Sequence, residues 1–259
     1  MSAAHKKYTQ GMKEVLLFGH KLLKSFGGNR ILNDVNIDLY EGDFTVVMGS
    51  SGSGKSTLLY ALSGMDSVTG GALTYRGKDM THLPEKAMVK LRADEFGFVF
   101  QRTHLVSNLT LYENILLAGY AGSAFSESEV RSRADELVKQ MGLSEAKDRL
   151  PSAVSGGEAQ RAAMARAVIA KPRLLFADEP TGALNKANTD EVLDLLSSLN
   201  NQGQTVLLVT HDQDAALRGN RILYLEDGAV IGELPLERYQ GKDREREDAL
   251  SQWLTCLRW

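Results

Sequence analysis

An α/β fold with a parallel sheet is predicted by three features of the sequence. The segment Gly49-Ser50-Ser51-Gly52-Ser53-Gly54-Lys55-Ser56 fits the phosphate-loop pattern G-x-x-x-x-G-K-[ST], and it lies between a strand-like run at 44–48 and a helical run beginning at Thr57. A second apolar run, Leu174-Leu175-Phe176-Ala177, ends in two adjacent carboxylates, Asp178 and Glu179, where open α/β sheets place their ligands. Strand-like runs at 173–178 and 205–210 are separated by helical spacing over 190–199, the alternation that crossover connections produce.

The elements follow in order. Short β-type runs come first, at 15–19, 32–39 and 44–48, with another at 71–75 after the phosphate-loop helix. Residues 95–100 read as a buried strand ending at Gln101. The segments 111–119, 127–141 and 159–169 then carry helical spacing with few strand formers, so a helical lobe is inserted before the next strand. After the strands at 173–178 and 205–210 comes a last one at 221–226. Internal repeats, low-complexity stretches and heptad runs of coiled-coil length are absent from the sequence.

The 259 residues, 43% of them hydrophobic, suit one large α/β domain or two small lobes. A net charge of −3 gives no basic footprint, and nucleic acid is not expected as a partner. The single cysteine, Cys256, excludes an intramolecular disulfide framework and fits a reducing cytoplasm. No run approaches the ~18 apolar residues of a membrane span, and Met1-Ser2-Ala3-Ala4-His5-Lys6-Lys7 lacks the apolar core of a signal peptide. The expectation is a chain that meets a membrane only through a partner.

The phosphate loop points to a nucleoside triphosphate. Its glycines let several backbone N–H groups converge on the phosphates, at the positive end of the following helix. Lys55 reaches the β- and γ-phosphates and the Ser56 hydroxyl ligates Mg²⁺. A Gly/Ser surface turn would explain the composition but not the strand before it and the helix after. Asp178 is expected to hold Mg²⁺ through water, and Glu179 to polarise the attacking water as general base. The Ser-Gly-Gly run at 155–157, taken alone, reads as a helix cap with a loop, or as a second anion site at the start of a helix.

In full, Val154-Ser155-Gly156-Gly157-Glu158-Ala159-Gln160-Arg161 resembles the signature loop of the ATP-binding cassette (ABC) ATPases. The resemblance extends over about residues 15–236. It implies a P-loop NTPase with a RecA-like core, an N-terminal antiparallel β portion and an inserted helical signature subdomain. On this chain the ATP-binding domain is expected over 12–240, its helical lobe at about 102–168, and a C-terminal amphipathic helical tail over 241–259. The resemblance further implies that Phe26 stacks on adenine and that Gln101 links Mg²⁺ and water to the helical lobe. His211 then touches the γ-phosphate, while Ser155, Gly156 and Gly157 close over ATP held by a second cassette, an identical copy or a similar ATPase, paired head to tail. Outside the family, Phe26 could be core, Gln101 a strand-end amide and His211 a helix cap.

The phrases Phe98-Val99-Phe100-Gln101, Glu113-Asn114-Ile115 and Phe176-Ala177-Asp178-Glu179-Pro180-Thr181-Gly182-Ala183-Leu184 look most like one branch, the ATPases of lipoprotein release, macrolide export and bacitracin-type peptide resistance, with the related cell-division ATPase. That branch implies an FtsX-like integral membrane permease as partner and a cytoplasmic location on the inner face of the cell membrane. The same ATPase cycle would equally serve a membrane signalling or cell-wall-regulating complex that moves no substrate. A soluble two-cassette protein would need a second phosphate loop, and a chromosome-organising ATPase a long coiled coil. Two departures from the family stand out. Asn185 occupies a position where many relatives carry an aspartate that connects the two sites, and Val154 and Glu158-Ala159 replace a common leucine and glutamines.

Past the core, the mixed-charge run 241–248 reads as a solvated helix face with i, i+4 pairs. Leu250, Trp253, Leu254 and Leu257 then form an apolar stripe at helical spacing, expected to pack on the chain's own surface or a second copy, with a membrane subunit or lipid as the alternative.

Overall fold

A computed structural model describes residues 13–257 apart from Ser123. The signal-peptide reading at Met1 to Lys7, the domain bound at Met12 and the last two residues of the tail lie outside the described residues.

The chain begins with a long hairpin. Strands β1 (Val15–Phe26) and β2 (Asn29–Tyr40) pair antiparallel through a two-residue turn, Gly27-Gly28, in which both glycines have positive φ (54° and 90°). Such a turn matches the right-handed twist of the strands, and glycine adopts it without steric cost. With β4 (Gly70–Tyr75) and β5 (Lys78–Asp79) the hairpin forms a four-stranded antiparallel sheet, in the order β2-β1-β4-β5.

The second sheet is built from β3 (Phe44–Met48), β6 (Phe96–Phe100), β7 (Leu174–Asp178), β8 (Thr205–Val209) and β9 (Arg221–Glu226), all parallel, with β10 (Ala229–Pro235) antiparallel at one edge. Its order is β10-β9-β3-β8-β7-β6. Every residue of β3, β7 and β8 is buried, which is why these strands are near-continuous apolar runs rather than alternating ones. Successive side chains enter opposite layers. Leu175, Ala177, Val206 and Leu208 join the core beneath the helices, whereas Leu174, Phe176, Leu207 and Val209 face the β1–β2 sheet and α1 (Lys55–Leu62).

Between β6 and β7 lie α3 (Leu111–Ala121), α4 (Glu127–Gln140) and α5 (Gly156–Val168), each started by a reciprocal capping box: Thr110 with Glu113, Ser126 with Glu129, and Ser155 with Glu158. The buried Asn114 side chain accepts from Val106 N and donates to the carbonyls of Val106, Leu109 and Thr110, fixing the turn before α3. Helices α2 (Glu85–Glu95) and α6 (Lys186–Asn201) precede β6 and β8.

Several elements differ from the sequence expectation for physical reasons. Helix α2 buries only Met88, so it carries no apolar period to read. Strand β10 is an edge strand without a fully buried residue. Helix α6 starts four residues before the apolar spacing does, because Asn185 caps it by accepting from Asn188 N at 3.0 Å.

The C-terminal tail forms α8 (Arg244–Cys256), and its stripe packs on the chain's own surface. Leu250 and Leu254 are buried, and Trp253 stands edge-on to Tyr224 of β9 at 6.3 Å. The reading of 241–248 as a purely solvated face is corrected at Arg246, which is buried and donates to the backbone carbonyls of Leu217 (2.6 Å), Glu237 (2.7 Å) and Gly219. Three carbonyls left open by the preceding turns make burial of this charge tolerable. Among the described residues no helix is long and apolar enough to cross a membrane.

Candidate active site

Strands β6, β7, β8 and β3 are parallel neighbours, so the loops leaving their C-terminal ends share one edge of the sheet. Those loops begin with Gln101, Glu179, Thr210-His211 and Gly49. The register places Phe100 beside Asp178, and Asp178 beside Val209.

The phosphate loop is held tightly at its first glycine. A Cβ on Gly49 would stand 2.2 Å from the Leu225 carbonyl oxygen, so no side chain fits there. At the other end Gly54, with φ 102°, is the N-cap of α1; this helix has no side-chain cap and no acidic residue in its first turn. Its leading N–H groups are therefore not taken up by a side-chain acceptor. The Ser53 hydroxyl is buried and has no hydrogen-bond partner among the described residues. Lys55 is buried too, donating to the carbonyls of Gly49 and Ser50, both at 2.8 Å. Burial lowers its pKa, opposed by the nearby carboxylates of Glu179 and Asp178.

Opposite the loop, the buried Asp178 carboxylate accepts from two hydroxyls: Ser56 Oγ donates to Oδ1 and the Tyr60 hydroxyl to Oδ2, each at 2.8 Å. Burial, then the hydrogen bond to that carboxylate, pushes the Tyr60 pKa up to about 12. Glu179 takes a left-handed backbone, φ 44°, with its N–H donating to Val209 O at 3.0 Å. This conformation is uncommon for a residue with a side chain, and it occurs where β7 hands over to the site. His211 Nδ1 lies 3.0 Å from Glu179 Oε1. The cap of the following short helix, α7 (Gln213–Ala216), is Asp212 rather than His211, which leaves the imidazole to the site.

An open cavity of about 790 Å³ gathers most of the expected residues: Phe26, Ser50, Ser51, Gly52, Gly54, Lys55, Ser56, Thr57, Glu179 and His211. Gly49 and Ser53 belong to the same loop but are not among the residues lining the cavity. Phe26 is half exposed, with the Lys24 ammonium 4.7 Å from its ring centroid; Lys24 is itself pinned by Asp66 and the Ser67 carbonyl, both at 2.6 Å. This gives an anchored aromatic platform at the mouth of the cavity. Gln101 stands apart, its amide packed against Gly182, where a Cβ would come within 2.8 Å of Nε2.

Ser155, Gly156 and Gly157 are not among the residues lining that cavity. The Ser155 N–H and hydroxyl both donate to the Glu158 carboxylate at 2.8 Å, which holds that carboxyl below its usual range. Sequence reading missed Tyr60 and Lys24, because their partners lie 118 and 42 residues away.

The residues fit a nucleotide: an uncapped helix start and a buried cation line one cavity, and the buried Ser53 hydroxyl of the same loop has no partner among the described residues. Ser56 and Asp178 supply the hard oxygen donors that suit Mg²⁺.

Comparison with known proteins agrees. The ABC transporter family model matches residues 32–182. The macrolide export ATP-binding/permease protein MacB of Bradyrhizobium diazoefficiens is 42% identical over 203 residues, covering 78% of this chain and 31% of that protein. MacB of Mannheimia succiniciproducens is 38% identical over 224 residues, 86% of this chain and 34% of that protein. The chain thus spans about a third of the length of these curated relatives. Among solved structures, the ATP-binding cassette MJ0796, a dimer in a post-hydrolysis state bound to ADP and Pi, matches with a TM-score of 0.79 and 36% identity over 86% of this chain and all of that one. CbiO1 of Clostridium perfringens, described as part of the ABC transporter complex cbiONQ, matches with a TM-score of 0.79 and 25% identity over 95% of this chain and 94% of that one. The matched family model over more than half of the chain means that this chain belongs to the ABC transporter family, as one of its ATPase cassettes.

Proposed function

We propose that this chain is the ATP-binding and ATP-hydrolysing subunit of a membrane ABC transporter, driving export, lipid or lipoprotein extraction, or antimicrobial-peptide resistance through an FtsX-like permease. The observation that carries the proposal is the meeting of Lys55, Ser56, Asp178 and Glu179 at one edge of the sheet, next to a loop whose buried Ser53 hydroxyl has no partner among the described residues.

Each residue has a role in this reading. Phe26 stacks on adenine, and the loop from Gly49 to Thr57 cradles the phosphates. Ser56, Gln101 and Asp178 would hold Mg²⁺, Asp178 through water and Gln101 as the link to the helical lobe, and the ion would neutralise phosphate charge. Glu179 accepts the proton of the attacking water, while Lys55 and His211 stabilise charge on the transferred phosphoryl group. The 3.0 Å approach of His211 to Glu179 supports their joint action. Ser155, Gly156 and Gly157 serve the ATP of a second cassette, an identical copy or a similar ATPase; their absence from this chain's own cavity supports pairing in trans. Residues 12–240 form the ATP-binding domain, with the helical lobe at about 102–168 and the tail at 241–259. The subunit sits at the cytoplasmic face of the cell membrane through its permease, a placement supported by relatives named as ATP-binding/permease proteins.

The test is to purify the Glu179→Gln variant from its native membranes under mild detergent with ATP and Mg²⁺, and to identify what accompanies it by mass spectrometry. Slow turnover is expected to trap two cassettes with two ATP on a stoichiometric membrane subunit with a large extracytoplasmic domain. Recovery without any membrane protein would remove the transporter reading, and wild-type turnover would remove Glu179 as the base.

A further inference from the structure

Asp178 is gripped by two hydroxyls, and only one of them belongs to the phosphate loop. Ser56 and Tyr60 lie four residues apart on α1, so one helix face carries both to the end of β7. Tyr60 is fixed at both ends. Its backbone carbonyl accepts from Met65 N (3.0 Å), Asp66 N (3.1 Å) and Ser63 Oγ (3.2 Å), and its ring lies 6.5 Å from that of Phe100, the residue before Gln101. A half-buried tyrosine could hand its hydroxyl to water, yet this one is spent on a strand-end carboxylate 118 residues away.

We infer that Tyr60 is a positioning residue for Asp178, the carboxylate expected to hold Mg²⁺ through water: its hydroxyl anchors Oδ2, leaving Oδ1, the oxygen shared with Ser56, for the metal side of the site. The inference rests on the proposal that Ser56 and Asp178 hold Mg²⁺. Without a second anchor the carboxylate would be free to turn whenever Ser56 served the metal instead. A group that hydrogen-bonds a direct metal ligand typically contributes about 10- to 100-fold in metal affinity, and behind a water-bridged carboxylate the low end of that range is expected.

Tyr60→Phe keeps the ring and removes the hydroxyl. Mn²⁺ is titrated, by electron paramagnetic resonance, into wild type and variant held in excess over the imido analogue of ATP. The variant is expected to bind Mn²⁺ about tenfold more weakly, to bind the analogue in EDTA as the wild type does, and to add no further loss on top of Asp178→Asn. Wild-type Mn²⁺ affinity, an equal loss of analogue affinity in EDTA, or an additive loss on Asp178→Asn would overturn the inference. Failure of the wild type itself to take up Mn²⁺ with the analogue would instead overturn the nucleotide-site reading beneath it. Should Tyr60→Phe not fold, Tyr60→Leu is read the same way.

Discussion

Helices α1 and α5 both begin at glycine-rich turns, yet they dispose of their first N–H groups in opposite ways. Helix α1 has glycine as its cap, no acidic residue in its first turn, and just before it a buried hydroxyl with no partner among the described residues. Helix α5 closes on itself: Ser155 and Glu158 satisfy each other, and a carboxylate occupies the positive end of the helix. The first start is therefore prepared for an anion that must come from outside, because leaving such groups buried and unpaired is costly. The second is content in water until another surface meets it.

Substitutions at the two starts should separate sharply. Lys55→Ala is expected to weaken ATP binding roughly 10- to 100-fold, the worth of a charge-assisted hydrogen bond, whereas Ser155→Ala leaves the affinity of the isolated chain unchanged; calorimetric titration distinguishes them, and equal losses would erase the contrast. The glycines sharpen it next. Gly49→Ala drives a methyl group against the Leu225 carbonyl and should cost about 3 kcal/mol in denaturant unfolding. In contrast, Gly156→Ala meets nothing closer than Leu184 Cδ2 at 3.6 Å and should be near neutral.

The smallest effect is the cap itself. Ser155→Ala should cost about 1 kcal/mol. Since the Ser155 N–H and hydroxyl hold the Glu158 carboxyl below its unfolded value, the contribution of the cap is complete above the ordinary carboxylate range and fades as pH falls through the depressed value. Denaturant midpoints followed from neutral pH into acid should decline less steeply for Ser155→Ala than for the wild type, and parallel curves would count against the closed cap.

Much of this was legible in the sequence. The buried strands β3, β7 and β8 announce themselves as unbroken apolar runs, and the phosphate loop by its spacing. What stayed hidden depends on partners distant in the chain. Tyr60 looks like any half-apolar helix residue until β7 brings Asp178 to it. Arg246 sits in a run of charges and reads as solvated, because nothing local reveals the three carbonyls waiting for it. Asn185 reads as a lost charge at a seam, while its amide oxygen serves as the cap of α6.

The pairing of the central strand sets a schedule for synthesis. Strand β3, which carries the phosphate loop, has as its neighbours β8 and β9: Phe44 lies beside Val206, and Thr45 beside Arg221. A ribosome that has already released the loop must therefore translate most of the remaining chain before that loop has a sheet to stand on. Such long-range closure is slow, and until it is complete nucleotide cannot stabilise the nascent chain. In that interval the apolar strand β3 lacks its sheet neighbours, the kind of exposure that makes long-range topologies prone to aggregate.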